Sequence, residues 1–151
     1  MTLLKHILIV DDDEDILYGY SMLLENENTV IFTATSAKEA LRIVKKEKID
    51  IAILDYMMPN MRGPELATKM NEINPSIKIY FVSGWNEAVD AAKKLNLPVH
   101  GVYMKPIDPT ILENMINENP NHIETHHHSM NLYSNIKKKD YRLFSAQSFS
   151  M

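Results

Sequence analysis

Short apolar runs punctuate the chain at Ile7–Val10, Val30–Phe32, Ile51–Leu54, Ile77–Val82 and Val102–Met104, the fourth broken only by Lys78. They are rich in β-branched and aromatic residues and nearly continuous rather than alternating, which is the pattern of strands covered on both faces. The stretches between them change to a helical period. Asp13 starts one, with Ile16, Leu17, Tyr20 and Leu24 on its apolar side. Ser36-Ala37-Lys38-Glu39 is a capping box ahead of Ala40, Leu41 and Val44. Gly63-Pro64-Glu65 places proline in a first turn before Leu66, Met70 and Ile73. A fourth helix is expected from Asn86, with Val89, Ala92 and Leu95, and Asp108-Pro109 opens a fifth carrying Ile111, Leu112, Met115 and Ile116. Five strands alternating with five helices predict an α/β fold, a doubly wound parallel sheet with helices on both faces.

The alternation stops near residue 118, and the chain divides there. Residues 4–118 read as one domain and residues 119–151 as a tail, mostly disordered or holding one short helix built on Leu132, Tyr133, Ile136, Leu143 and Phe144. The overall charge of −4 conceals a body at −6 and a tail at +2, the tail's cations being Lys137, Lys138, Lys139 and Arg142. An acidic body argues against a generic nucleic-acid surface, and the tail is too short and too weakly patterned for a DNA-binding output unit. His126, His127 and His128 are adjacent, so they converge on one ion only if the backbone folds around it. Cysteine is absent, which removes disulfide and thiolate chemistry. The apolar run after Lys5 is too short for a signal peptide or a membrane span, so a cytoplasmic protein with no membrane contact is expected.

In a doubly wound sheet, ligands gather at the carboxyl ends of the strands. Those ends carry Asp11-Asp12-Asp13 after the first strand, Asp55 after the third, Ser83-Gly84 after the fourth and Lys105-Pro106 after the fifth. Clustered carboxylates repel one another unless a cation joins them, and hard oxygen ligands without cysteine favour Mg²⁺. A divalent ion, a lysine and a hydroxyl together make a receptor for a phosphoryl group, with Asp55 as the candidate nucleophile. Each residue also has a plainer reading. An acidic triplet caps a helix, Ser-Gly makes a turn, and a lone lysine is solvated. Only their joint placement at four strand ends favours the chemical reading.

These same residues resemble the receiver domain of two-component response regulators. The resemblance rests on Ile7-Leu8-Ile9-Val10-Asp11-Asp12-Asp13, Leu54-Asp55-Tyr56-Met57-Met58-Pro59-Asn60-Met61-Arg62-Gly63, Val82-Ser83-Gly84 and Met104-Lys105-Pro106, in that order. It implies a flavodoxin-like fold with five parallel strands in the order 2-1-3-4-5 and five flanking helices. It implies that Asp55 accepts a phosphoryl group from a sensor histidine kinase or histidine phosphotransfer protein. Mg²⁺ would be held by Asp12, Asp55 and the Met57 carbonyl, with Asp11 acting through water. Ser83 and Lys105 would contact the phosphoryl oxygens, Pro59 and Gly63 would shape the loop, and the bond before Pro106 would be cis. Phosphorylation would draw Ser83 inward and reshape the face made by helix 4, strand 5 and helix 5, where a downstream protein binds. On this reading the chain is a stand-alone receiver, a monomer or weak dimer. It catalyses its own phosphorylation and dephosphorylation without being a turnover enzyme in the usual sense.

Four positions bear on how closely the chain follows the family habit. An aromatic residue often stands three places before the site lysine, but here that place holds Val102, and Tyr103 is shifted by one. Strand side chains alternate, so the ring of Tyr103 should face the other side and pack in the core. Gly84 stands where alanine is common and should leave room for phosphate. Met57 and Trp85 flank the acceptor without a carboxylate or amide to orient water, so slow loss of the phosphoryl group is expected. Two alternatives compete: a receiver-like scaffold that is never phosphorylated, and a haloacid-dehalogenase-type phosphatase using Asp11-Asp12-Asp13. The second would need acidic ligands beyond the lysine, for which residues 4–118 offer only Asp108, Glu113 and Glu118, all on the last helical segment.

Overall fold

The computed structural model describes residues 3–117. Ten elements alternate along them: β1 Lys5–Val10, α1 Glu14–Leu24, β2 Thr29–Ala34, α2 Ala37–Lys46, β3 Ile51–Asp55, α3 Gly63–Ile73, β4 Lys78–Ser83, α4 Ala88–Lys93, β5 Gly101–Met104 and α5 Pro109–Asn117. All strand pairings are parallel, and the sheet order is β2-β1-β3-β4-β5. The order reverses between β1 and β3, so the carboxyl ends of those strands frame the crevice where such folds bind ligands.

Alternation along each strand divides the core. On one face Leu8, Val10, Leu54, Ile79 and Phe81 pack with Ala40 and Val44 of α2, Leu66 and Met70 of α3, and Ala88 and Ala92 of α4. On the other, Ile7, Ile9, Ile53, Tyr80, Val82 and Tyr103 meet Leu17, Tyr20 and Leu24 of α1 and Leu112, Met115 and Ile116 of α5. Burying one Leu or Ile side chain stabilises by roughly 1.5–3 kcal/mol, so the central strands β1, β3 and β4 hold the sheet rigid beneath its loops.

The local start signals operate with one variation. Asp13 caps α1 by accepting the Asp15 N–H, and Asp108 accepts the Thr110 N–H at the start of α5. Ser36 accepts the Glu39 N–H as a capping box requires, but Glu39 reaches back to the Thr35 N–H, one residue before the cap. The fourth helix differs more. It begins at Ala88 rather than Asn86, has no side-chain cap, and ends at Lys93, leaving Leu95 outside. Ala88 and Ala92, one turn apart, form its buried face, whereas the Val89–Ala92–Leu95 spacing had suggested a longer one. No helix among the described residues is long and apolar enough to cross a membrane. The tail expectations, including the histidine cluster and the short helix, fall outside the described residues.

Candidate phosphoryl-acceptor site

Four strand ends bring the candidate residues together. Asp55 is the last residue of β3, Ser83 the last of β4, and Lys105 follows β5, while Asp11 and Asp12 leave β1. Asp11, Asp55 and Ser83 are buried at 3%, 7% and 1% exposure, whereas Asp12 is open to solvent. Lys105 Nζ donates to Asp11 Oδ2 at 2.6 Å and lies 3.4 Å from Asp55 Oδ1. One ammonium thus bridges two buried carboxylates. The peptide bond before Pro106 is cis, in agreement with expectation.

The electrostatics follow from that burial. Loss of solvation, reinforced by the Asp11 charge, pushes the Asp55 carboxyl up to about 6, against the opposing pull of Lys105. Burial raises Asp11 as well, despite its hydrogen bonds from Lys105 and the Asp13 amide. Burial acts to lower Lys105, but its hydrogen bond to Asp11 and the charges of Asp11 and Asp55 outweigh this, so the ammonium is held above its ordinary value. Two carboxylates raised by burial and repulsion, beside a single cation, form a site with spare negative charge. Oxygen atoms of Asp11, Asp12 and Asp55 all lie within 4.8 Å of one another. Their number, hardness and excess charge fit a small divalent cation such as Mg²⁺.

The loop after Asp55 is built for close approach. Gly63 N–H donates to the Tyr56 carbonyl at 2.9 Å, closing the loop, and Asn60 turns the chain at φ 69°. A Cβ on Gly63 would stand 2.5 Å from the Asp55 carbonyl oxygen and 2.9 Å from Tyr56 Cα, both backbone atoms, so only glycine fits. Pro59 is exposed, and its carbonyl accepts the Met61 N–H within the same turn. Gly84 differs, because a Cβ there would meet nothing within 4 Å. The space beside Ser83 is therefore open whether residue 84 is glycine or alanine. Met57 and Trp85 are exposed at the rim, at 45% and 39%.

A receiver-domain family model, described as "Response regulator receiver domain", matches residues 7–117. The chain belongs to that family. A response regulator receiver domain protein (CheY-like) from Methanospirillum hungatei is 34% identical, with a TM-score of 0.71 over 81% of this chain and 98% of that one. A receiver domain from Clostridium thermocellum is 28% identical, with a TM-score of 0.69 over 76% of this chain and 92% of its own. Response regulator SaeR of Staphylococcus aureus is 30% identical over 83% of this chain, which spans 54% of that protein. The match to the transcriptional regulatory protein GlrR of Escherichia coli spans 26% of that protein, so this chain covers about half or less of these curated relatives.

Family membership removes the phosphatase alternative, and the geometry gives no support to it. Asp108 is engaged in capping α5 and Glu113 is exposed on that helix, while Glu118 is outside the described residues. The departures of this receiver are also placed. Val102 packs against the α2–α4 side, whereas Tyr103, 6% exposed, lies in the α1–α5 core with its ring 6.3 Å from Tyr80. The one-place shift in β5 therefore does turn the ring to the opposite face.

Two contacts were not anticipated from sequence. The first is the direct Lys105–Asp11 pair, since the strand ends implied proximity but no pairing. The second is Tyr56, a buried ring whose centroid is 5.8 Å from that of Trp85 and 5.3 Å from that of Phe81. An aromatic residue following a strand-terminal aspartate was the only available signal, and it does not reveal its neighbours.

Proposed function

We propose that this receiver accepts a phosphoryl group on Asp55 from a phosphohistidine of a sensor histidine kinase or histidine phosphotransfer protein, and signals by protein contacts. The observation that supports this most directly is the buried Asp55 carboxylate beside Lys105, 3.4 Å away at the sheet's switch point. A carboxylate oxygen attacks phosphorus, the phosphorus–nitrogen bond breaks, and the electron pair leaves on the imidazole nitrogen, which is then protonated. Lys105 and the Ser83 hydroxyl would donate to the transferred oxygens. Asp12, Asp55 and the Met57 carbonyl would hold Mg²⁺, with Asp11 assisting through water, and the bound ion would neutralise phosphoryl charge.

Attachment adds about −1.5 to −2 charges beside Lys105, so its ammonium is drawn from Asp11 toward the phosphoryl oxygens. The β4–α4 loop follows Ser83, and the α4–β5–α5 face presents a changed surface to a downstream partner. Met57 and Trp85, the two rim residues that flank the acceptor, carry no carboxylate or amide side chain to orient water, so the acyl phosphate is long-lived. Incubation with Mg²⁺ and a small phosphodonor, followed by intact mass spectrometry, should add one phosphate to the wild type and none to Asp55→Ala. A wild type that stays unmodified, or a variant that is still modified, overturns the assignment.

A further inference from the structure

The geometry points to Trp85 as a positioning residue for the Ser83 hydroxyl, held in place by the ring of Tyr56. This rests on the phosphoacceptor reading and adds to it a contact between two loops. The backbone amide N–H of Trp85 donates to Ser83 Oγ at 3.0 Å. A hydroxyl has one proton and two lone pairs, so accepting from Trp85 fixes the oxygen while leaving the proton free to be donated to a phosphoryl oxygen. What fixes Trp85 is its side chain. Its indole is 39% exposed and rests against Tyr56, with ring planes 47° apart.

Tyr56 is firmly seated. It is 4% exposed, meets Phe81 edge-on at 74°, and donates its N–H to the Val82 carbonyl. Between Ser83 and Trp85 stands Gly84, around which a Cβ would find open space, so no side chain at that position restrains the turn. The aromatic contact therefore supplies the restraint that residue 84 does not. It also links the residue after the acceptor to the loop after Ser83, two segments that must move together when a phosphoryl group arrives. With Val102 in place of a ring on this face of β5, the Tyr56–Trp85 pair is the aromatic connection between site and loop among the described residues.

The test is binding of beryllofluoride, a phosphoryl mimic, to the full chain in the presence of Mg²⁺, followed by calorimetry. An aromatic pair contributes about 1 kcal/mol beyond its burial, which converts to roughly 5-fold in affinity. Trp85→Ala and Tyr56→Leu should each weaken beryllofluoride binding about that much, and the double variant no further, because they remove one shared contact. Trp85→Phe should recover most of the loss. Mg²⁺ affinity of Trp85→Ala without beryllofluoride should stay unchanged, since the candidate Mg²⁺ oxygens belong to Asp11, Asp12, Asp55 and Met57 and not to the loop after Ser83, and a generally loosened site would lower both. Wild-type affinity in both single variants, or losses that simply add, overturns the positioning role. If Tyr56→Leu melts early, Trp85→Ala with its Phe rescue decides alone. Asp55→Asn separates the two claims: if it binds beryllofluoride as the wild type does, or the wild type does not bind, both readings fall. If Asp55→Asn fails to bind while Trp85→Ala and Tyr56→Leu both keep wild-type affinity, only the positioning role is lost.

Discussion

Asp55 is stored in the fold at a cost, and removing its charge should make the protein more stable. Its carboxyl is raised from 3.8 to about 6 by burial and by Asp11. At 1.36 kcal/mol per unit, ionising it in the folded protein costs about 3 kcal/mol more than in the unfolded chain. The sign follows from proton counts. Between pH 3.8 and about 6 the folded state keeps a proton that the unfolded state has released, so stability declines as pH rises through that interval. Above it both states are ionised and the full penalty applies. Asp55→Asn preserves the acceptor oxygen that faces the Met57 amide and Lys105 but carries no charge. At neutral pH without divalent cations the variant should therefore gain up to about 3 kcal/mol, or roughly 10 °C in Tm for a domain of this size. The gain should vanish below about pH 4, where both proteins carry a neutral side chain at this position. Mg²⁺ should narrow the gap, because it relieves the repulsion in the wild type and finds one carboxylate fewer in the variant. Urea denaturation across that pH range, with and without Mg²⁺, measures all three effects. An Asp55→Asn protein no more stable than wild type at neutral pH, or a gap independent of pH, would refute the reasoning.

Phosphorylation by a small phosphodonor should follow the same titration in the opposite sense, rising as pH increases through about 6 at limiting Mg²⁺ because only the ionised Asp55 is nucleophilic; a flat rate profile would contradict it. Gly63→Ala should destabilise by about 3 kcal/mol in a urea melt, since its Cβ collides with backbone, whereas Gly84→Ala should lie within about 0.5 kcal/mol of wild type. Lys105→Met leaves Asp11 and Asp55 without their shared cation, so it should lower stability at neutral pH and regain much of that loss on acidification, as followed by circular dichroism. Met57→Asn places an amide at the rim and should shorten the phosphoryl lifetime severalfold, measured by loss of label after the donor is removed.

The fold class, and the acid, hydroxyl and lysine at the strand ends, were legible in the residues alone. This is because a parallel sheet covered on both faces demands uninterrupted β-branched runs, and because helix caps such as Asp13, Ser36 and Asp108 act within a few residues. The consequence of Val102 was legible too, since strand alternation is local geometry. Distances between segments belong to the tertiary structure. Only there does Lys105 meet Asp11, a residue 94 positions earlier, and only burial beneath converging loops raises Asp55. The short α4 is not legible for the same reason: which side of a weakly amphipathic stretch is buried depends on the sheet it rests on, and Ala88 and Ala92 fit there in place of a longer apolar face. Nothing in the letters pairs Tyr56 with Trp85; they become neighbours because β3 and β4 pair in register and deliver their following residues to one edge.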